Sequence, residues 1–172
     1  MLSYCCINTE LGSKKITTNR TIRKEKFDKE GLKICSELAL LNLTDLLHIL
    51  AWNKDNDIRA FRISSCLFPW STQYNIEELP NYEAIKVLLQ TIGWYIKLNE
   101  IRVSFHPDHF SVLASDKTET IKRAAHDINF HSKIFDLMEL DESHYYPINI
   151  HVGTPNVCKT LKFHKSYTLS FS

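Results

Sequence analysis

At 172 residues, with 44% hydrophobic and 24% charged side chains, the chain has the make-up of one ordinary globular domain, and two full domains would be cramped. A formal net charge of +1 leaves no global footprint of nucleic-acid binding. Purely apolar runs of only a few residues argue against a membrane partner, and "MLSYCCINTE" lacks the basic and long apolar regions of a secretory signal.

In chain order, "LSYCCI" (residues 2–7) is short, apolar and β-prone, and it stops at Asn8. The segment "KKITTNRTIRKEK" (14–26) carries six basic residues against Glu25 alone. It reads as a basic loop, either a solvated surface or a contact for phosphates. Residues 30–55 have helical period, with Leu38, Leu41, Leu46, Ile49 and Leu50 forming one expected buried stripe. "IRAFRISS" (58–65) is a strand ended by "SSCLFPW", where Pro69 forbids further pairing. Residues 82–99 form a second amphipathic helix on Ile85, Leu88, Leu89, Ile92 and Ile96. "IRVSF" (101–105) is a third strand and runs straight into "HPDHF". A third helix is expected over 116–140, starting at Ser115 or Asp116, and "YPINIHVG" (146–153) is a fourth strand.

Strands beginning near 2, 58, 101 and 146, with a helix between each pair, require parallel pairing and predict an α/β fold. The repeat of about 45 residues suits barrel units with elaborated loops. No Gly/Pro/Ser-rich linker divides the chain, and residues 154–172 fit neither period, so they are expected to be an irregular tail.

Parallel α/β folds gather their reactive groups where strands end. Here those ends carry Asn8, Ser64-Ser65-Cys66, His106 and His151. A lone histidine is usually a satisfied core or surface group. Two imidazoles at the ends of successive strands about 4.8 Å apart can share one ion. His48, His126, His131, His144 and His164 lack such a setting, and His126 and His131 are five apart on a helix. His106-x-Asp108 with His151 imitates a two-histidine, one-carboxylate iron site, but three long helices oppose the β-helix that such sites use. His-Pro-Asp also marks J-domain co-chaperones, where it joins two helices rather than following a strand. Five cysteines (Cys5, Cys6, Cys35, Cys66, Cys158) with no C-x-x-C spacing oppose a disulfide framework and point to a reducing intracellular compartment.

Five ordered motifs resemble the UV damage endonuclease family: "TTNRT" (17–21), "NLTDLLHILAWN" (42–53), "FRISSCLFPW" (61–70), "RVSFHPDHF" (102–110) and "INIHVG" (148–153). The likeness covers residues 1–153. It implies the N-terminal half of a TIM barrel, about four βα units of parallel strands with outer helices, and a DNA repair enzyme. By resemblance, His106 and His151 are metal ligands and Cys66 falls where some members have a further ligand. The divalent metal implied is Mn2+, with Mg2+ or Zn2+ as alternatives. Asn8, Asn19, Arg20, His109 and Phe110 fall at positions implied to meet DNA or the lesion. Phe110 fits an aromatic lesion probe, whereas the family has glutamine where His109 stands. The reaction implied is hydrolysis of the phosphodiester 5′ to a UV photoproduct in double-stranded DNA.

The family's barrels run to about eight βα units, and their later strands supply carboxylates and further histidines. A chain with four units is therefore expected to perform incision alone or with the other half in trans, or to be a catalytically inactive remnant that at most binds DNA. A different TIM-barrel metal enzyme, of the apurinic endonuclease or sugar-isomerase kind, is the third alternative.

Overall fold

The computed structural model describes residues 2–151. Three parallel strands, β1 (Leu2–Cys5), β2 (Ile58–Ile63) and β3 (Arg102–Phe105), form one sheet in sequence order. Each crossover is helical: α1 (Thr9–Ser13), α2 (Lys24–Glu30) and α3 (Leu32–Asp55) follow β1, α4 (Tyr82–Leu98) follows β2, and α5 (Thr118–Leu137) follows β3. Three short 3₁₀ turns, Ser65–Leu67, Ser71–Gln73 and Ile76–Glu78, fill the connection from β2 to α4. The parallel α/β architecture expected from the strand spacing is what forms.

Strand alternation decides the layers. Phe61, Ile63, Val103 and Phe105 are at most 2% exposed and face the helices, while Arg62, Arg102 and Ser104 between them stay accessible. The helices close this side with Leu43, Leu46, Ile49 and Leu50 of α3, Ile85, Leu89, Ile92 and Ile96 of α4, and Ile134 and Phe135 of α5. A Cβ on Gly93 would lie 1.8 Å from the Met138 carbonyl oxygen, so only glycine allows α4 to approach the end of α5 so closely.

The structure corrects four expectations. The predicted stripe of α3 is rotated: Leu41 is 52% exposed and Leu38 half-buried, while Cys35, Ala39, Asn42 and Leu43 take the inner face. Counting leucines alone missed these because small and amide side chains share the buried stripe. The basic segment is not all loop, since residues 24–26 open α2 and Lys24 Nζ pairs with Asp28 at 2.8 Å. Gly31, at φ +60, separates α2 from α3, so the long helix starts at Leu32. The expected fourth strand contributes one parallel bridge, Phe105 with Ile148, among the described residues. Phe105 N donates to Pro147 O at 3.1 Å and Asn149 N donates to Phe105 O at 2.9 Å. Pro147 has no N–H to extend that ladder. Residues 152 and 153 of that segment, and the expected tail 154–172, lie outside the described residues.

By length and apolar composition alone, α3 could cross a membrane, a criterion that run-counting missed. It packs instead as the core helix, with Asn42, Asp45 and Asn53 buried and used inside the fold.

Candidate functional site

The carboxyl ends of β1, β2, β3 and the Ile148 bridge share one rim. After β3, the His106 and His151 rings stand 4.4 Å apart between centroids and 38° from parallel. Both are partly exposed. His106 Nδ1 lies 2.7 Å from the Asn149 carbonyl oxygen. A carbonyl only accepts, so Nδ1 carries the proton and the lone pair sits on Nε2. Metal-bound histidines usually have this arrangement, one ring nitrogen donating to a carbonyl while the other ligates. The bond comes from the same bridge that pairs Phe105 with Ile148, so sheet register sets the ring.

The pair fits as two ligands of a divalent ion and not as a complete shell. Among the described residues, no three His, Cys, Asp or Glu side chains come together as a metal group. Cys66 is exposed and lies elsewhere on the rim, along a cleft of about 320 Å³ also lined by Trp70, Asp108, Phe110 and Arg123.

Past His106 the chain turns outward. Asp108 Oδ1 meets His109 Nδ1 at 2.6 Å, and the His109 ring lies 3.9 Å from that of Phe110. Phe110 is 74% exposed. An apolar ring held out in solvent on a tight turn is available for stacking.

Two other expected site residues, Asn8 and Arg20, have side chains already engaged in the fold. Asn8 is buried, where its Oδ1 caps α1 by accepting from Leu11 N at 2.9 Å and its Nδ2 donates to Tyr4 Oη at 2.9 Å. Tyr4 Oη donates in turn to Asn53 Oδ1 at 2.6 Å. Burial pushes the Tyr4 phenol up, although its bonds to Asn8 and Asn53 pull the other way. The Arg20 guanidinium donates to Asp45 Oδ2 at 2.6 Å, Thr17 O at 2.5 Å and Lys15 O at 2.9 Å. It therefore ties the basic loop to α3, and its donors point into the protein rather than toward a phosphate. Asn19 is half-buried, with its backbone N donating to Thr17 Oγ1 at 3.2 Å.

The sequence did not single out what holds the Phe110 turn. Ser111 Oγ donates to Asp127 Oδ2 of α5, and both residues are buried. One helical turn on, His131 Nδ1 lies 2.7 Å from Asp127 O and 3.4 Å from its Oδ1. Burial pushes the Asp127 carboxyl up, but His131, Ser111 and the nearby His126 outweigh it, leaving the carboxyl below its usual range. His126 Nε2 reaches Ser71 O at 3.1 Å, so α5 also holds the loop after β2. The four-residue spacing of Asp127 and His131 was the available signal, and it went unused.

Parallel strands with outer helices, a polar inner face and imidazoles at strand ends define a part of a TIM-barrel-type α/β protein. A family model described as UV-endonuclease UvdE matches residues 1–168. The chain belongs to this family. It is 33% identical over 152 residues to a UV DNA damage endonuclease of Clostridium perfringens, covering 88% of this chain and 35% of that protein. It is 29% identical over 147 residues to a UV-damage endonuclease of Schizosaccharomyces pombe, covering 82% of this chain and 24% of that one. The crystal structure of SacUVDE superposes with a TM-score of 0.80 at 27% identity, covering 96% of this chain and 55% of that chain. The chain thus spans about a third or less of the length of these two curated relatives.

Proposed function

We propose that the chain forms one half of a UvdE-type nuclease face that cuts double-stranded DNA 5′ to UV photoproducts. The observation that carries this reading is the imidazole pair, with His106 Nδ1 fixed on Asn149 O so that Nε2 is left for a ligand. His106 and His151 would hold a divalent ion, Mn2+ first among candidates and Mg2+ or Zn2+ after it. When bound, such an ion polarises a phosphate and lowers the pKa of an attacking water. Phe110 would stack on bases exposed where a lesion has weakened pairing, because unstacking a damaged step costs less than unstacking an intact one. His109, held by Asp108, offers a hydrogen bond beside it. Cys66 lies along the adjacent cleft, where a ligand role needs a rearrangement of the rim.

Two imidazoles without carboxylates bind a divalent ion weakly. The complete reaction therefore draws its remaining ligands from the other half of a barrel, supplied in trans. The second reading, DNA binding without cleavage, is favoured by the two-ligand set. One assay separates the two: a UV-irradiated duplex with Mn2+ is offered to the chain alone and to the chain mixed with the later half of a relative. Nicking 5′ to photoproducts in either mixture, lost in His106→Ala, supports incision. Retained lesion binding with no nick in either mixture leaves the binding-only reading.

A further inference from the structure

The cleft of about 320 Å³ beside the rim is given no ligand by the proposed nuclease reading. Its walls are the connection from β2 to α4, the Phe110 turn after β3 and one side of α5, with Thr21 at its edge. No strand residue lines it, and β2 lies between β1 and β3. The walls therefore owe nothing to the inner face of the sheet or to the free edge at β1. Neither His106 nor His151 lines it, so it is separate from the imidazole pair.

Aromatic surface is the first feature of the cleft. Phe110, 74% exposed, borders it on one side and Trp70 on another. Trp70 sits at φ 61 and ψ 25, a left-handed conformation that a bulky residue adopts only where its surroundings force it. Its indole stacks on Phe27 with centroids 4.7 Å apart and planes 7° from parallel, and its Nε1 donates to Ile22 O at 3.1 Å. The residue is locked in place before any ligand arrives.

Charge is the second feature. Arg123 precedes Asp127 by four residues on α5, a spacing at which arginine and aspartate normally pair. Asp127 instead accepts from Ser111 Oγ and lies 3.4 Å from His131 Nδ1. Among the described residues, no hydrogen bond or ion pair engages the exposed Arg123 guanidinium. The other lining carboxylate, Asp108, meets His109 Nδ1 at 2.6 Å. Both acids of the cleft thus have partners, and its one cation has none. Ser65 and Thr72 add hydroxyls to the lining.

Planar apolar surface, hydroxyls and a free guanidinium together match a nucleotide: the rings take the base, the hydroxyls the sugar, and the guanidinium forks onto the phosphate. A volume of about 320 Å³ is near the lower end of small-molecule pockets, which run from roughly 300 to 1,000 Å³. That is room for one base and its sugar, and not for the two joined bases of a photoproduct.

We infer that this cleft is a single-nucleotide pocket, which takes one unpaired nucleotide of a DNA strand with its base beside Phe110 and Trp70 and its phosphate on Arg123. The inference rests on the DNA reading proposed above and deepens it, since the nucleotide held is an unpaired neighbour of the lesion rather than the lesion itself.

The test titrates the full chain, with chelator present, against thymidine 5′-monophosphate and follows broadening of the thymine methyl signal by nuclear magnetic resonance. Thymidine and inorganic phosphate are the comparators, and the nucleotide should bind more tightly than either. Arg123→Ala should weaken nucleotide binding roughly tenfold, the size of one lost charge-assisted contact to phosphate. Lys122→Ala removes the adjacent exposed cation, which pairs with Glu119 at 3.3 Å, and should leave binding within about twofold. In a second arm, Arg123→Ala should weaken binding to a duplex with one bulged thymidine several-fold more than binding to a fully paired duplex. Nucleotide binding no tighter than thymidine or phosphate, equal losses in the two variants, or equal losses on the two duplexes overturns the assignment. Neither arm needs metal or strand cleavage, so failure of the incision assay and failure of this pocket are separate results.

Discussion

The two sides of the sheet differ in kind. On the helix side, Phe61, Ile63, Val103 and Phe105 are sealed by α3, α4 and α5. On the inner side, Ser3, Cys5, Arg62, Arg102 and Ser104 line a depression that no other described residue fills. Packing is finished on one side and chemistry is displayed on the other. Stability should therefore respond to changes behind the sheet, and binding to changes in front of it or along its rim.

The largest break comes behind the sheet. Gly93→Ala drives a methyl group into the Met138 carbonyl, and overpacking of this severity should cost about 3 kcal/mol in urea unfolding. Arg20→Ala removes a partly buried guanidinium from Asp45 and two backbone carbonyls, with an expected loss of about 2 kcal/mol. Lys24→Ala, in the same basic segment but with an exposed partner, should cost less than about 0.5 kcal/mol. That pair of mutants separates the structural part of the segment from its solvated part.

The rim gives smaller effects with a pH signature. Because the Asp127 carboxyl is lowered in the folded state, its contribution is full above the unfolded value near about 3.9 and fades as pH falls through the folded value. Wild type should lose more stability than Asp127→Asn between about pH 5 and pH 2. Parallel acid-unfolding curves would remove Asp127 from its latch role. Phe110→Ala, which exposes no core, should change unfolding by less than about 0.5 kcal/mol while weakening binding to UV-irradiated duplex several-fold over undamaged duplex.

The parallel α/β architecture was legible in the sequence because strand alternation and helix spacing are local patterns. Residues 102–105 alternate, residues 58–63 form a short β-prone run bounded by polar residues, and Ile85, Leu89, Ile92 and Ile96 recur at helical steps. The juxtaposition of His106 and His151 was legible from their positions at successive strand ends. Three features were not. Asn8 and Arg20 stand at positions expected to meet DNA, and their structural bonds were hidden, since a hydrogen bond from Arg20 to Asp45 spans 25 residues that no local pattern connects. Leu41 looked like core because leucine type outweighed phase, whereas the amide of Asn42 won the inner position by bonding to Leu67 O at 3.1 Å. The Ser111–Asp127 latch joins a turn to a helix 16 residues away.

Mn2+ titration followed by electron paramagnetic resonance tests the central claim most directly. The account predicts one weak site per wild-type chain, lost in His106→Ala and in His151→Ala and unaffected in Cys66→Ser. Unchanged Mn2+ binding in the double variant lacking both imidazoles would contradict it.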